Sequence, residues 1–260
     1  MQNRKIVFED LGRKAYKDAW DYQENLLQQS VKSKSASEAT SNFLLFVEHP
    51  PVYTLGKSGK KDHVLLSDSE MEDKGIEYFQ INRGGDITFH GLGQIVGYPI
   101  LDLENFETDI GKYLRNLEEV IILTLAEYGI KGERSKGETG VWIDAGVPGR
   151  ERKICAMGVR CSRWITMHGF AFNVNTDLTY FDGIIPCGIQ NKQVTSLQKE
   201  LGKELDIEEV KEKLRKNFEK VFEATILTPV SYFIANGNEG TLFFAVGSFF
   251  LPMLPAMPRL

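Results

Sequence analysis

Arg83-Gly84-Gly85-Asp86-Ile87-Thr88-Phe89-His90-Gly91-Leu92-Gly93-Gln94 places four glycines, an arginine, a threonine and a histidine within twelve residues. The apolar run Ile95-Val96-Gly97-Tyr98-Pro99-Ile100-Leu101 follows directly. Glycine permits positive φ and lets a ligand approach the main chain with no Cβ in the way. The stretch therefore reads as a loop that wraps a ligand and then enters a buried strand. A phosphate-binding fingerprint needs a helix after its glycines. Here strand formers follow, so a Rossmann turn or nucleotide P-loop is rejected. On its own the stretch also admits a plainer reading, a glycine-rich turn with an incidental histidine.

Upstream, Asn42-Phe43-Leu44-Leu45-Phe46-Val47 is continuously apolar, short and stopped by Pro50-Pro51, which suits a central strand buried on both faces. Val52 to Leu55 restarts a strand. Gly56-Lys57-Ser58 invites a Walker reading, but Pro51 stands where the first glycine is needed and no helix follows. Nearer the N-terminus, Lys5 to Phe8 reads as a short strand, Leu11 to about Gln29 as a helix, and the polar stretch Ser30 to Ser41 as an exposed loop.

Downstream, Thr108 to Tyr128 is the clearest helix. Ile110, Tyr113, Leu117, Val120, Ile121 and Leu125 form a broad apolar stripe, and Gly129 is a natural stop. Gly140 to Asp144 is a strand carrying Trp142. Lys153 to Ser162 alternates as a strand should. Cys155, Met157, Val159 and Cys161 share one face, and Lys153 begins that same face. Trp164 to Phe172 returns as a hairpin partner, and Asn173 to Ile185 is a loop delivering Pro186-Cys187-Gly188-Ile189. A last helix runs from Ile207 to about Glu223, capped by Asp206 with Glu209 three residues on. Strands and helices mix without strict βαβ alternation. This favours α+β: a single domain over residues 1–228, with a mixed β-sheet flanked by helices. Residues 229–260 form an apolar tail that is short for a membrane span and broken by Pro252, Pro255 and Pro258.

The 260 residues are 42% hydrophobic and 26% charged, enough for a sizeable core, and carry a net charge of −5. That balance does not suggest wholesale nucleic-acid binding. Cys155, Cys161 and Cys187 form no paired framework and no metal-binding spacing, which points to a reducing compartment and a cytoplasmic location. The N-terminus has no apolar signal core.

Chemistry concentrates in few places. Cys187 lies between a proline that fixes the approach and a glycine that bares nearby N–H groups, the setting of an accessible thiol. A small buried hydrophobe is the plainer reading of the same cysteine. Lys153 opens an apolar strand face. Partly desolvated beside a thiol it would stabilise the thiolate; alternatively its ammonium reaches solvent at the strand end. His90 and His168 each precede a glycine and are candidates to orient substrate or carry a proton. Cys155, two residues from Lys153, is a rival nucleophile on spacing and a core residue on composition.

Taken together these segments resemble the lipoyl/octanoyl transferase family, also called lipoate–protein ligase B. The family's Arg-Gly-Gly-x-x-Thr-Tyr/Phe-His-Gly-Pro-Gly-Gln loop and Gly-Tyr-Pro strand match Arg83 to Pro99, with Leu92 where proline is usual. Its Lys-Ile-x-x-x-Gly-Val-Arg strand matches Lys153 to Arg160, and His-Gly-x-Ala-x-Asn-Val matches His168 to Val174. Pro-Cys-Gly-Ile matches Pro186 to Ile189, and Thr-Ser-Leu matches Thr195 to Leu197. The resemblance covers about Phe43 to Phe222.

It implies the fold of biotin and lipoate protein ligases. It also implies octanoyl transfer from octanoyl acyl-carrier protein to a lysine of a lipoyl domain, in 2-oxoacid dehydrogenase complexes or the glycine cleavage H protein. No cofactor and no metal are implied. By position, Cys187 is the acyl-thioester nucleophile and Lys153 the residue that lowers its pKa. Arg83 to His90, Ala156 to Gly158 and Gly169 to Ala171 surround the acyl chain. Phe89, Met157 and Phe170 are expected as slot walls, and backbone N–H groups at Gly188 or along Lys153 to Gly158 as oxyanion donors. Between Gly149 and Arg163 five basic residues (Arg150, Arg152, Lys153, Arg160, Arg163) face one acidic residue, which suggests a docking patch for an acidic carrier. Competing readings are an ATP-dependent lipoate or biotin ligase, an octanoyl amidotransferase on the same fold, and an inactive lipoyl-domain binder.

Overall fold

The computed structural model describes residues 3–185 and 193–228, together with the backbone of three short strands at 230–231, 244–246 and 249–251. Its centre is β2 (Asn42–Glu48), the continuous apolar run. Successive side chains of a strand point to opposite faces. Leu44 and Phe46 accordingly enter one core cluster, and Leu45 and Val47 enter another.

Around β2 the main sheet takes the order β10-β8-β9-β6-β2-β1-β11, with β7 also paired to β8. The strands are β1 (Lys5–Arg13), β6 (Gln94–Ile100), β7 (Val141–Ile143), β8 (Arg152–Ser162), β9 (Ile165–Asn173), β10 (Gln193–Val194) and β11 (Thr225–Leu227). Pairings β1/β2, β1/β11 and β8/β10 are parallel, and β2/β6, β6/β9, β8/β9 and β7/β8 antiparallel. One face packs on α3 (Ile110–Ala126) and α5 (Ile207–Phe222), the other on α1 (Tyr16–Ser35). The expected α+β architecture, a mixed sheet flanked by helices, is the one observed. Among the described residues no helix is long and apolar enough to cross a membrane.

Helix termini follow local chemistry. The Asp109 carboxylate accepts from the Lys112 N–H at 3.0 Å and caps α3, and Asp206 accepts from the Glu208 N–H at 2.9 Å to cap α5. Glu209 does not close a capping box. Its carboxylate lies 2.7 Å from Lys213 and accepts from the Tyr128 hydroxyl at 3.2 Å.

Three sequence expectations need correction. First, β1 runs on to Arg13 through an irregularity between Asp10 and Arg13, so α1 starts at Tyr16 rather than Leu11. Second, α1 reaches Ser35, so Ser30 to Ser35 is not loop. Ser30 is buried there, and the Ser35 hydroxyl accepts from Arg163 at 2.7 Å. Third, the glycine-rich stretch is not all loop. Ile87–His90 is a strand, β5, which pairs antiparallel with β3 (Val52–Leu55); β4 (Glu77–Gln80) pairs on the other side of β3. This second sheet carries its own apolar cluster, including Tyr53, Leu55, Ile87, Phe89 and Phe181. Two short helices, α2 (Asp68–Asp73) and α4 (Leu197–Leu201), were not expected.

Phe218 stacks on Phe222 with centroids 4.2 Å apart, fully buried beneath the main sheet. Phe218→Ala is expected to cost about 3–5 kcal/mol, the range for emptying a buried aromatic site. Urea unfolding should show a lowered midpoint with unchanged slope. An unchanged midpoint would show that α5 does not close the core.

Candidate active site

The two sheets meet over a cavity of about 660 Å³. Most of the expected site residues line it: Arg83, Gly84, Gly85, Asp86, Ile87, Thr88 and His90 from the glycine-rich segment, Lys153, Ala156, Met157 and Gly158 from β8, and Gly169, Phe170 and Ala171 from β9. Phe89 does not reach the cavity. Its ring stacks on Tyr180 at 4.7 Å and meets Tyr53 and Phe181 edge-on, inside the small sheet's core.

Arg83 is the hinge of this arrangement. It is buried, and Nη2 donates to the Thr54 carbonyl at 2.8 Å and to Thr54 Oγ1 at 3.1 Å, while Nη1 donates to the Gly84 carbonyl at 2.9 Å. The Gly84 N–H donates to the Val159 carbonyl at 3.0 Å, laying the loop on β8. Gly158 makes that approach possible, since a Cβ there would stand 2.6 Å from the Gly84 oxygen and 3.2 Å from Arg83 Nη1. The Gly-Lys-Ser triplet is no phosphate cradle: the N–H groups of Gly56, Lys57 and Ser58 donate to the carbonyls of Asp86, Arg83 and Gly85.

A relay of hydrogen bonds continues from Arg83. His90 Nδ1 lies 2.9 Å from Gln94 Oε1, and Gln94 Nε2 donates to Asn173 Oδ1 at 2.9 Å and to the Phe89 carbonyl at 3.2 Å. The amide is thereby oriented with oxygen towards the ring, which assigns the His90 proton to Nδ1. His90 Nε2 then accepts from the Thr54 hydroxyl at 3.3 Å, and Asn173 Nδ2 donates to the Thr195 carbonyl at 3.0 Å. With both ring nitrogens engaged, His90 orients its neighbours and is not available as a free proton carrier. Burial holds its pKa well below the ordinary histidine value, helped by nearby His49.

Burial also pushes His168 down to about 3, with Arg83 and Arg160 adding to the effect, and its Nε2 lies 3.2 Å from Asn82 Oδ1. His49 is lowered by burial to about 4; its Nδ1 donates to the Lys14 carbonyl and its Nε2 accepts from Tyr98, both at 2.8 Å. All three imidazoles are thus neutral at pH 7.

Lys153 does not share a face with Cys155. The β7/β8 register shifts between Val141 and Trp142, so Val141 lies opposite Cys155 but Trp142 lies opposite Lys153. Ile154 and Cys155, successive residues, both enter the core cluster with α3 and α5. The extra residue turns Lys153 over. Its ammonium sits 4.5 Å from the centroid of the Trp142 ring, at the cavity wall. Cys155 is fully buried, and burial pushes its thiol well above the usual range, so it is a core residue and no rival nucleophile.

Cys187, with the rest of 186–192, lies outside the described residues. Both flanks are tied to residues that line the cavity. The Ile185 N–H donates to the carbonyl of His63, a lining residue, at 2.8 Å; on the far side Val194, also a lining residue, pairs with Lys153. His63 escaped sequence reasoning. Its Nδ1 lies 2.6 Å from Asp86 Oδ2, at the end of a polar turn that carried no signal. Gln94 and Asn173 lay inside quoted motifs without a role.

The five basic residues of 149–163 do not form a patch. Arg152 is clasped by Glu200 and Asp144 at 2.6 Å, Arg150 lies 3.2 Å from Asp144, and Arg160 donates to Glu24 at 2.8 Å. Arg163, beyond the far end of β8, donates to Ser35 at 2.7 Å. A strand of this length separates its ends by roughly 35 Å, so charges adjacent in sequence are dispersed in space.

Comparison with known proteins gives this geometry a family. Residues 15–219 match the lipoyl protein ligase A/B catalytic domain. An octanoyltransferase of Flavobacterium johnsoniae is 62% identical over 232 residues, 86% of this chain and 100% of that protein. One from Christiangramia forsetii is 61% identical over 231 residues, 86% of this chain and 98% of that protein. The chain belongs to the octanoyltransferase family. Membership makes it an acyl-transfer enzyme of protein lipoylation. The fold agrees with solved lipoate ligases. A bipartite lipoate protein ligase of Thermoplasma acidophilum, solved with its E2 lipoyl domain, superposes with TM-score 0.59 at 16% identity, covering 87% of this chain and 86% of that one. A lipoate-protein ligase A bound with ATP gives 0.60 at 15%, covering 87% of each.

The neutral histidines of this family member set a pH dependence. A histidine whose folded pKa is depressed binds its proton more readily when unfolded, so stability falls as pH drops below about 6.5. His49 and His168 should each withdraw about 1.4 kcal/mol per pH unit between about pH 6.5 and their folded values of about 4 and about 3. Urea unfolding at pH 7 and pH 5 should show the loss, and His168→Gln should shrink it. A variant with the wild-type slope would exclude His168 as a contributor.

Proposed function

We propose that the chain transfers an octanoyl group from octanoyl acyl-carrier protein to the lysine amine of a lipoyl domain, through a thioester on Cys187. The observation carrying this reading is the convergence of Lys153 and the Arg83–Gly85 loop on one cavity, with the chain on either side of the Cys187 segment tied to residues that line it. A thioester donor is already activated, so exchange between thiols is near neutral in energy and requires no ATP. The Cys187 thiolate, stabilised by the Lys153 ammonium, adds to the thioester carbonyl. The C–S bond to the carrier breaks, and the carrier's thiolate leaves with a proton from the Lys153 ammonium. The acceptor amine then adds to the acyl-enzyme, gives its proton to the now neutral Lys153 amine, and expels the Cys187 thiolate, which restores the starting pair.

Met157 and Phe170 line the cavity as apolar walls for the chain. By strand alternation the main-chain groups of Met157 face the same edge of β8 as the Val159 carbonyl, which accepts from Gly84. The Met157 N–H is therefore a candidate oxyanion donor. Lipoyl domains of 2-oxoacid dehydrogenase complexes and the glycine cleavage H protein are the proposed acceptors. Support comes from the curated octanoyltransferase relatives and from the lipoate ligase solved with an E2 lipoyl domain.

The test is intact-protein mass spectrometry after mixing with octanoyl carrier protein, without ATP. One hydroxylamine-sensitive octanoyl adduct is expected in wild type and in Cys155→Ser, and none in Cys187→Ser. Lys153→Met should slow its formation roughly a hundredfold or more, as loss of an activating partner does. Transfer that appears only with ATP and free octanoate would refute the thioester route in favour of an adenylate-forming ligase.

A further inference from the structure

We propose that Trp142 is a positioning residue for acyl transfer, its indole face holding the Lys153 ammonium at the cavity wall. The inference rests on the reading that Lys153 assists Cys187, and adds the group that sets Lys153 in place.

Four observations carry it. Trp142 is 1% exposed, so its ring is buried rather than a surface perch. Its main chain is locked in reciprocal hydrogen bonds with Glu133, N to O at 2.9 Å and O from N at 2.8 Å. The register shift brings Trp142 opposite Lys153, whose ammonium stands 4.5 Å from the ring centroid. Gly140, at φ +116°, also approaches the stem: a Cβ there would come within 3.7 Å of Lys153 Cε and collide with the Cys155 carbonyl. The Gly140 N–H in turn donates to the buried Glu118 carboxylate at 3.0 Å, which Arg115 and Arg134 neutralise. The lysine side chain thus lies close to both an aromatic face and a bare α-carbon, each on hydrogen-bonded backbone.

A free lysine stem samples many rotamers, and its ammonium prefers bulk water. An aromatic face attracts the cation and restricts where it sits. Cys187 would then meet an ammonium that is already oriented. Trp142 acts through Lys153 and touches no reacting atom.

The test is single-turnover acylation by octanoyl carrier protein, with rate followed against donor concentration. Trp142→Leu is expected to lower the maximal rate roughly three- to thirty-fold, the span of a partly desolvated cation–π contact. The half-saturating donor concentration should not move. Trp142→Phe and Trp142→Tyr, which keep a ring, should restore most of the rate, and Trp142→Met serves as a second apolar variant should the leucine fail to fold. In a Lys153→Met background, Trp142→Leu should cost nothing further. Wild-type acylation by Trp142→Leu beside a slow Lys153→Met would overturn this proposal alone, as would an equal further loss in the double variant. Wild-type acylation by Lys153→Met would overturn the Lys153 reading and this proposal with it.

Discussion

A buried guanidinium pins the glycine-rich loop to the small sheet where it meets the large one. Arg83 sits where the small sheet meets the large one, and it spends its donors on backbone and hydroxyl oxygens: the Thr54 carbonyl, Thr54 Oγ1 and the Gly84 carbonyl. A buried cation is costly unless its donors are satisfied. The chain therefore has to keep Thr54, Gly84 and Gly158 in register. Gly158 must lack a side chain, β3 must end where Thr54 can be reached, and the loop must lie on β8 through the Val159 carbonyl. The cavity is the space these requirements leave.

The same cation shapes the electrostatics around it. His90 and His168 both feel Arg83, and both are buried, so neither takes up a second positive charge. The neutral His90 completes a directional relay from Arg83 to Thr195, just past the Cys187 segment. Lys153 stands apart from this cluster, over an aromatic ring. The site thus separates a cation bonded to oxygens from a second cation held against a π face.

Much of the architecture was legible in the chain. The Asn42–Val47 run, Ile110–Ala126 and Ile207–Phe222 appear where periodicity put them, because long, strongly patterned segments have one good way to bury their apolar faces. Errors fell where pattern is weak. Ser30 to Ser35 is polar but helical, because a helix tolerates small polar residues on a packed face. Ile87–His90 was hidden among glycines and became a strand only because β3 offered an edge.

For the site, sequence alone determined which residue types gather: the order of Arg83, His90, Lys153 and His168 along the chain, and the glycines that make close approach possible. Those follow from local covalent chemistry, which a sequence states directly. Orientation was decided only by the tertiary structure. One extra residue at Ile154 turned Lys153 away from Cys155 and onto Trp142, and strand alternation sent Phe89 into the small core. Three of the five cations of residues 149–163, Arg150, Arg152 and Arg160, were drawn to Asp144, Glu200 and Glu24, outside that stretch. The reason is the period-two geometry of a strand: a shift of one residue reverses a face, and what sets that shift is pairing with strands distant in sequence.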